Sequence, residues 1–177
     1  MTFRFISRTR TLTLAACLLQ GACAERAPPP PPASQITSIP SSARERAAAK
    51  AYADPVAAAI LISQYREAHA LGAVSLDPAL QKLAQAQADA MAAHNVLSHT
   101  VGGTLTQRFD AVHLARVTAV ENVSAGYFSL PAVMGGWRRS PPHNANLLAP
   151  KMRHLGIALA HAPGTRYLTY WALDMSN

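Results

Sequence analysis

Seven histidines and nine acidic residues are the side chains of this 177-residue chain able to bind a metal or move protons. Its two cysteines, Cys17 and Cys23, both fall in what reads as a removable leader, so the remainder has no thiol for catalysis or soft-metal ligation. Most histidines sit in ordinary settings: His69 near a helix end, His161 beside a turn, and His94, His113 and His154 without a flanking pattern that points them inward. Three settings differ. His99, in Leu97-Ser98-His99-Thr100, stands at a helix-to-loop junction just before Gly102-Gly103. Glu121 follows an apolar, strand-like run, where a carboxylate is unexpected unless paired. His143 follows Ser140-Pro141-Pro142, whose prolines fix the backbone that carries it. Each setting, taken alone, is that of a core or surface residue rather than a ligand, and only the fold could bring the three together. A Ser140–His143 pair can be drawn, but nothing nearby resembles a nucleophile elbow. A helix-terminal serine bonding to local backbone is the simpler account of Ser140.

The elements that must position these groups are well punctuated. Asp54-Pro55 supplies an N-cap and a first-turn proline, and Gly72 a stop, predicting a helix over 55–71. Asp77-Pro78 repeats the device and opens a helix whose stripe Leu80, Leu83, Ala84, Gln87, Ala88, Met91 keeps helical spacing for three turns. Gln87 on that buried face must be hydrogen-bonded, as a structural network member in preference to a pocket-lining group. Thr104 and Ser129 cap two further helices, the second reaching Trp137 and about Arg139, and 117–124 reads as a short strand. The segments 155–160 and 167–175 flank a Pro-Gly turn and form a β-hairpin. Helices first and antiparallel strands last, without a βαβ rhythm, predict an α+β fold with helices packed on a small sheet.

Half of the residues are hydrophobic and 14% are charged, which suits one core with appendages. The net charge of +7 falls to +4 without Arg4, Arg8 and Arg10, and the excess is scattered, so nucleic acid is not an expected partner. Those three arginines precede a twelve-residue apolar stretch, Thr11 to Ala22, which is signal-peptide architecture over residues 1–24 and too short to remain as an anchor by itself. Cleavage after Ala24 would release a plain secreted protein. Lipidation at Cys23, preferred here over Cys17, would make a lipoprotein, with the membrane touched only through that anchor. Residues 25–53 then form a linker with five consecutive prolines and a short helix, Ser42-Ala43-Arg44-Glu45 fitting a capping box, ahead of a domain over 54–177.

Order and framing raise the standing of His99, Glu121 and His143. Ile62-Ser63-Gln64-Tyr65-Arg66, Leu76-Asp77 with Leu80 and Ala84, Asp89-Ala90-Met91-Ala92, Leu97-Ser98-His99 with Gly103 and Arg108, Glu121-Asn122-Val123 with Gly126-Tyr127, Trp137 with Ser140-Pro141, His143 and Asn146-Leu147-Leu148, Leu155-Gly156-Ile157-Ala158, and Tyr170-Trp171 with Asp174 follow one another over about 120 residues. In that order they resemble the CAP superfamily of cysteine-rich secretory, antigen 5 and pathogenesis-related proteins, in its bacterial SCP-like branch. The resemblance implies an α-β-α sandwich with a central antiparallel sheet between helical layers. It also implies a cavity of two histidines and acidic residues that binds zinc in some members, here His99, His143 and Glu121, bordered by Gln87, Ser140, Asn146 and Trp137. The chain departs from the pattern at Ser140, where many animal members have a second glutamate, and at Gln87, often histidine.

Three functions follow as expectations. The first is an exported module, at the periplasm or outer membrane or secreted, and monomeric, whose His99 and His143 bind a divalent ion, zinc being the plausible one. Glu121 would be its third ligand or a second-sphere acceptor. The second is a hydrolase of a peptide or cell-envelope polymer with Glu121 as general base and His99 or His143 as acid or ligand. The third is a lipid or sterol binder, for which the sequence carries no distinct feature.

Overall fold

The computed structural model describes residues 41–114 and 118–177, with side chains from Ala43 onward. The leader, the Cys23 lipidation site, residues 25–40 of the linker and the Ser42 side chain lie outside that range. Ten elements follow in order: α1 (Ser41–Ala49), α2 (Pro55–Glu67), β1 (Ser75–Leu76), α3 (Pro78–His94), α4 (Leu105–Ala111), β2 (Ala119–Ala125), α5 (Leu130–Arg139), α6 (Pro141–Leu147), β3 (His154–Ala162) and β4 (Leu168–Ser176). The fold is α+β. No helix among the described residues is long and apolar enough to cross a membrane.

Caps set the helix starts as the sequence predicts. Asp54 Oδ1 accepts from Ala57 N–H at 3.0 Å, and Asp77 Oδ1 from Ala79 and Leu80 N–H at 2.8 and 2.9 Å. Thr104 and Gln107 exchange side-chain-to-backbone bonds in a capping box, and the Ser129 hydroxyl accepts from Ala132 N–H. The stripe Leu80, Leu83, Ala84, Gln87, Ala88, Met91 is buried in full. One helix end moves: α2 stops at Glu67 rather than Leu71, because Ala70 turns left-handed at φ +58° while the N–H groups of His69 and Leu71 both fold back to the Arg66 carbonyl. α1 carries the buried Ala48, and Arg44 Nη2 donates to the Arg166 carbonyl at 3.3 Å.

The sheet runs β1-β3-β4-β2. The expected antiparallel arrangement holds for β2, β3 and β4, while the two-residue β1 adds a parallel pair with β3 and makes the sheet mixed. Alternation along β3 and β4 divides the core in two. Leu155, Ile157, Trp171, Leu173 and Met175 pack on α2, α5 and α6 with Ile62, Trp137 and Leu147. Ala158, Ala160, Ala162, Tyr170 and Ala172 pack on α3 with Ala84, Ala88 and Met91. These are the two helical layers. Gly156 explains how close α3 lies, since a Cβ there would stand 2.2 Å from the Leu80 carbonyl carbon and 2.3 Å from Gln81 N. The large aromatics are buried with their polar atoms satisfied: Trp137 Nε1–H donates to Ser124 Oγ at 2.7 Å, Trp171 Nε1–H to the Tyr127 carbonyl at 2.8 Å, and the Tyr170 hydroxyl bonds Asn95 Oδ1 at 2.9 Å.

Candidate functional site

β2 is one of the two edge strands, bonded by Arg108 of α4 on one face and to the His143 carbonyl of α6 on the other. Strand alternation sends Glu121 and Val123 toward the α3 layer and Asn122 and Ser124 toward the α5–α6 layer. On the α3 side, Asn95 ends α3 in the left-handed region at φ +51°, which releases the loop carrying His99. Gln87 ties that loop down: fully buried, it donates from Nε2 to the Ser98 carbonyl at 2.7 Å. Gly102 is small for the same reason, since a Cβ there would meet Gln87 Oε1 at 2.8 Å. Gln87 thus holds the loop through Nε2, while its buried Oε1 has no hydrogen-bond partner among the described residues.

Held in this way, His99 Nδ1 lies 2.7 Å from Glu121 Oε1. A carboxylate only accepts, so Nδ1 carries the hydrogen and the neutral ring leaves Nε2 as its lone-pair nitrogen. The second oxygen of Glu121 is taken by Arg108 Nη2 at 2.5 Å. Arg108 comes from α4 and also bonds the Gly103 carbonyl at 3.2 Å, so one guanidinium joins the loop to the strand. The His99 side chain is 56% exposed and the Glu121 side chain 3%. An open imidazole thus rests on a closed carboxylate.

His143 arrives from the other layer. The two prolines that precede it form the first turn of α6: α5 ends and α6 begins on the same residue, Ser140, whose hydroxyl makes no cap to α6. Asn122 Nδ2 donates to the His143 carbonyl at 3.0 Å, and Asn146 Nδ2 bridges the Glu121 carbonyl and Asn122 Oδ1, both at 2.9 Å. From α2, the Tyr65 hydroxyl bonds Asn144 Oδ1 at 2.7 Å. The buried Arg66 holds the carbonyls of Leu147 and Ala149 at 2.9 Å each, fastening the end of α6. Burial, and secondarily the nearby His99, hold the His143 ring below the usual histidine pKa, so it is neutral at pH 7. Trp137 sits in the core beneath this layer rather than at the site.

Two predicted ligands, His99 and His143, therefore remain able to offer a nitrogen lone pair. Glu121 is buried and bonded to both His99 and Arg108, and no cluster of three or more metal-binding side chains occurs among the described residues. What remains as a donor set is two imidazoles, one of them backed by the carboxylate. With Glu121 3% exposed and His99 56% exposed, the imidazole and not the carboxylate is the group that faces solvent. Two residues belong here that sequence reasoning did not single out for chemistry, Arg108 and Asp174. Asp174 is fully buried and stands directly across the β2–β4 pairing from Glu121, 4.0 Å from Arg108 Nη1. Its signal was a lone acid inside the apolar run Tyr170 to Met175.

Among solved structures the chain is similar to an extracellular SCP-domain protein of Bacillus anthracis, at 23% identity and TM-score 0.60 over 70% of this chain and 40% of that one. It is similar to an outer surface protein of Borrelia burgdorferi, at 20% identity and TM-score 0.59 over 66% of this chain and 86% of that one. A cysteine-rich secretory protein of Staphylococcus aureus matches at 18% identity and TM-score 0.55 over 68% of this chain and 37% of that one. The chain thus spans well under half the length of the Bacillus and Staphylococcus proteins, and at these identities the likeness is one of fold. Among curated proteins nothing matches. The model of the cysteine-rich secretory protein family matches residues 60–175, and the chain belongs to that family, CAP.

Proposed function

We propose that this chain is an exported CAP module whose paired imidazoles, His99 and His143, bind a divalent cation reversibly, zinc being the ion that suits two neutral nitrogen donors. The observation that carries this reading is the bonding of Glu121. By accepting from His99 Nδ1 it orients Nε2 outward, which is the part a carboxylate plays behind a metal-binding histidine. The neutral state of His143 supports it, since a protonated ring cannot ligate. With two protein ligands, affinity is low and exchange fast, and a bound ion would supply Lewis-acid polarisation of whatever occupies its remaining positions. Export is supported by the leader-like residues 1–24 and by the extracellular and outer-surface descriptions of the Bacillus and Borrelia neighbours.

Calorimetric titration with zinc at pH 7.5 tests the reading. The expected result is 1:1 binding that weakens as pH falls through the histidine range and disappears in a His99→Ala, His143→Ala double variant. Equal binding by that variant removes the proposal.

A further inference from the structure

The polar layer behind His99 contains more acid than it has partners for. Glu121 and Asp174 are opposed in register on neighbouring strands and share one face of the sheet. Both are buried, at 5% and 0% exposure. One cation, Arg108, serves the two, and it is committed to Glu121 at 2.5 Å while standing 4.0 Å from Asp174. As a carboxylate, Asp174 would leave both of its oxygens without a hydrogen bond, a costly state for a buried charge. A proton changes the account, because a carboxylic acid can donate where a carboxylate cannot, and the acceptor directly across the ladder is Glu121.

We propose that Asp174 retains a proton and donates it in a hydrogen bond to the Glu121 carboxylate, making Asp174 a positioning residue for the acceptor that holds His99. Glu121 is then fixed from three sides, by His99, Arg108 and Asp174, and the buried layer is balanced as one cation against one anion. The surroundings agree. Burial and the neighbouring Glu121 charge push the Asp174 carboxyl up to about 8, with Arg108 opposing the shift. Among the described residues, Glu121 and Arg108 are the charged groups that act on Asp174; its β3 partner is Gly156, and the α3 stripe contributes Leu80, Leu83, Ala84 and Gln87. This inference rests on the reading of the site as a His99–His143 centre for its functional meaning, but the protonation itself is tested without metal.

The sign of the pH effect is set by the direction of the shift. In the unfolded chain an aspartate ionises near pH ~3.9, so between there and about 8 folding takes up a proton and the wild type loses stability as pH rises. Asp174→Asn keeps a donor toward Glu121 and cannot ionise. Thermal midpoints of wild type and Asp174→Asn, measured without metal from pH 4 to 9, should diverge: the variant gains several degrees over wild type at pH 8, and the gap closes toward pH 4. Parallel curves, or a wild type that gains on the variant as pH rises, would overturn the proposal. Infrared spectra of wild type labelled with 13C at aspartate carboxyls supply a second reading that needs no variant. A protonated-carboxyl stretch at pH 7 is expected, and its absence overturns the proposal. Zinc titration separates the two readings: Asp174→Ala, which removes the donor to Glu121, is expected to bind zinc more weakly than Asp174→Asn, which keeps one, and equal affinity of the two variants overturns the positioning role. A protein that shows the carboxyl stretch yet binds no zinc loses only the metal centre.

Discussion

The two faces of the central sheet solve the same packing problem in opposite ways. Toward α2, α5 and α6 the strands present Leu155, Ile157, Trp171, Leu173 and Met175, and the gap is filled by bulk. Toward α3 they present Gly156, Ala158, Ala160, Ala162 and Ala172 beside Tyr170, and over the small residues the gap is closed by bringing a helix backbone against the sheet. The bulky face gains stability from buried area, whereas the thin face gains proximity. Proximity is what the site needs. Because α3 lies so low, the loop after it and α4 can reach the β2 edge with His99 and Arg108, and a charged pair can be sealed between layers.

The contrast can be broken by deletion on one face and by addition on the other. Trp171→Ala should cost about 3–5 kcal/mol in urea denaturation, since it empties a fully buried site among large neighbours. A loss under 1 kcal/mol would mean that the bulky face is not the one that holds the fold. Gly156→Ala should cost about 3 kcal/mol, at the upper end of the overpacking range, because its new methyl group meets main chain that cannot rotate aside. Hydrogen exchange in α3 should rise with it, and unchanged α3 protection would show that the helix is not held low by that glycine.

Smaller effects sharpen the comparison at the polar edge. Gln87→Ala should cost about 1–2 kcal/mol by leaving the Ser98 carbonyl unpartnered, and should loosen the His99 loop in nuclear magnetic resonance relaxation. An unaltered loop would assign the tether elsewhere. The depressed His143 contributes stability that is complete above about pH 6.5 and is lost as pH falls through its lower folded value. His143→Gln should flatten that acid limb slightly, and an identical limb would mean that the ring does not titrate in this way. Ser140→Ala should stay within about 0.5 kcal/mol of wild type, because its hydroxyl makes no cap to α6. A larger loss would show a bond that this geometry does not contain.

The legible parts of the fold were those governed by local chemistry. Asp-Pro caps and the six-residue stripe of α3 need only neighbours within a turn or two, and the hairpin needs only its two runs and the turn between them. What escaped depends on distant backbone. The parallel pairing of Ser75 and Leu76 is fixed by β3 nearly eighty positions later, and the early end of α2 by a tight turn around the Arg66 carbonyl. Ser140 hid the start of α6 because one residue closes a helix and opens the next. At the site, His99, Glu121 and His143 were set apart by their local frames and grouped by the family resemblance alone. Asp174 could not be recognised as the partner of Glu121 without the register of β2 on β4, which periodicity does not supply.

The start of α6 bears on how this scaffold could be re-engineered. A segment that opens on two prolines has few alternative conformations, and here its third residue is also pinned through its carbonyl to the edge strand. The main chain at position 143 is thus held independently of the ring it carries. Replacing that ring with a thiol or a carboxylate would alter the donor offered there while leaving the framework in place, which makes the position a socket for swapping chemistries.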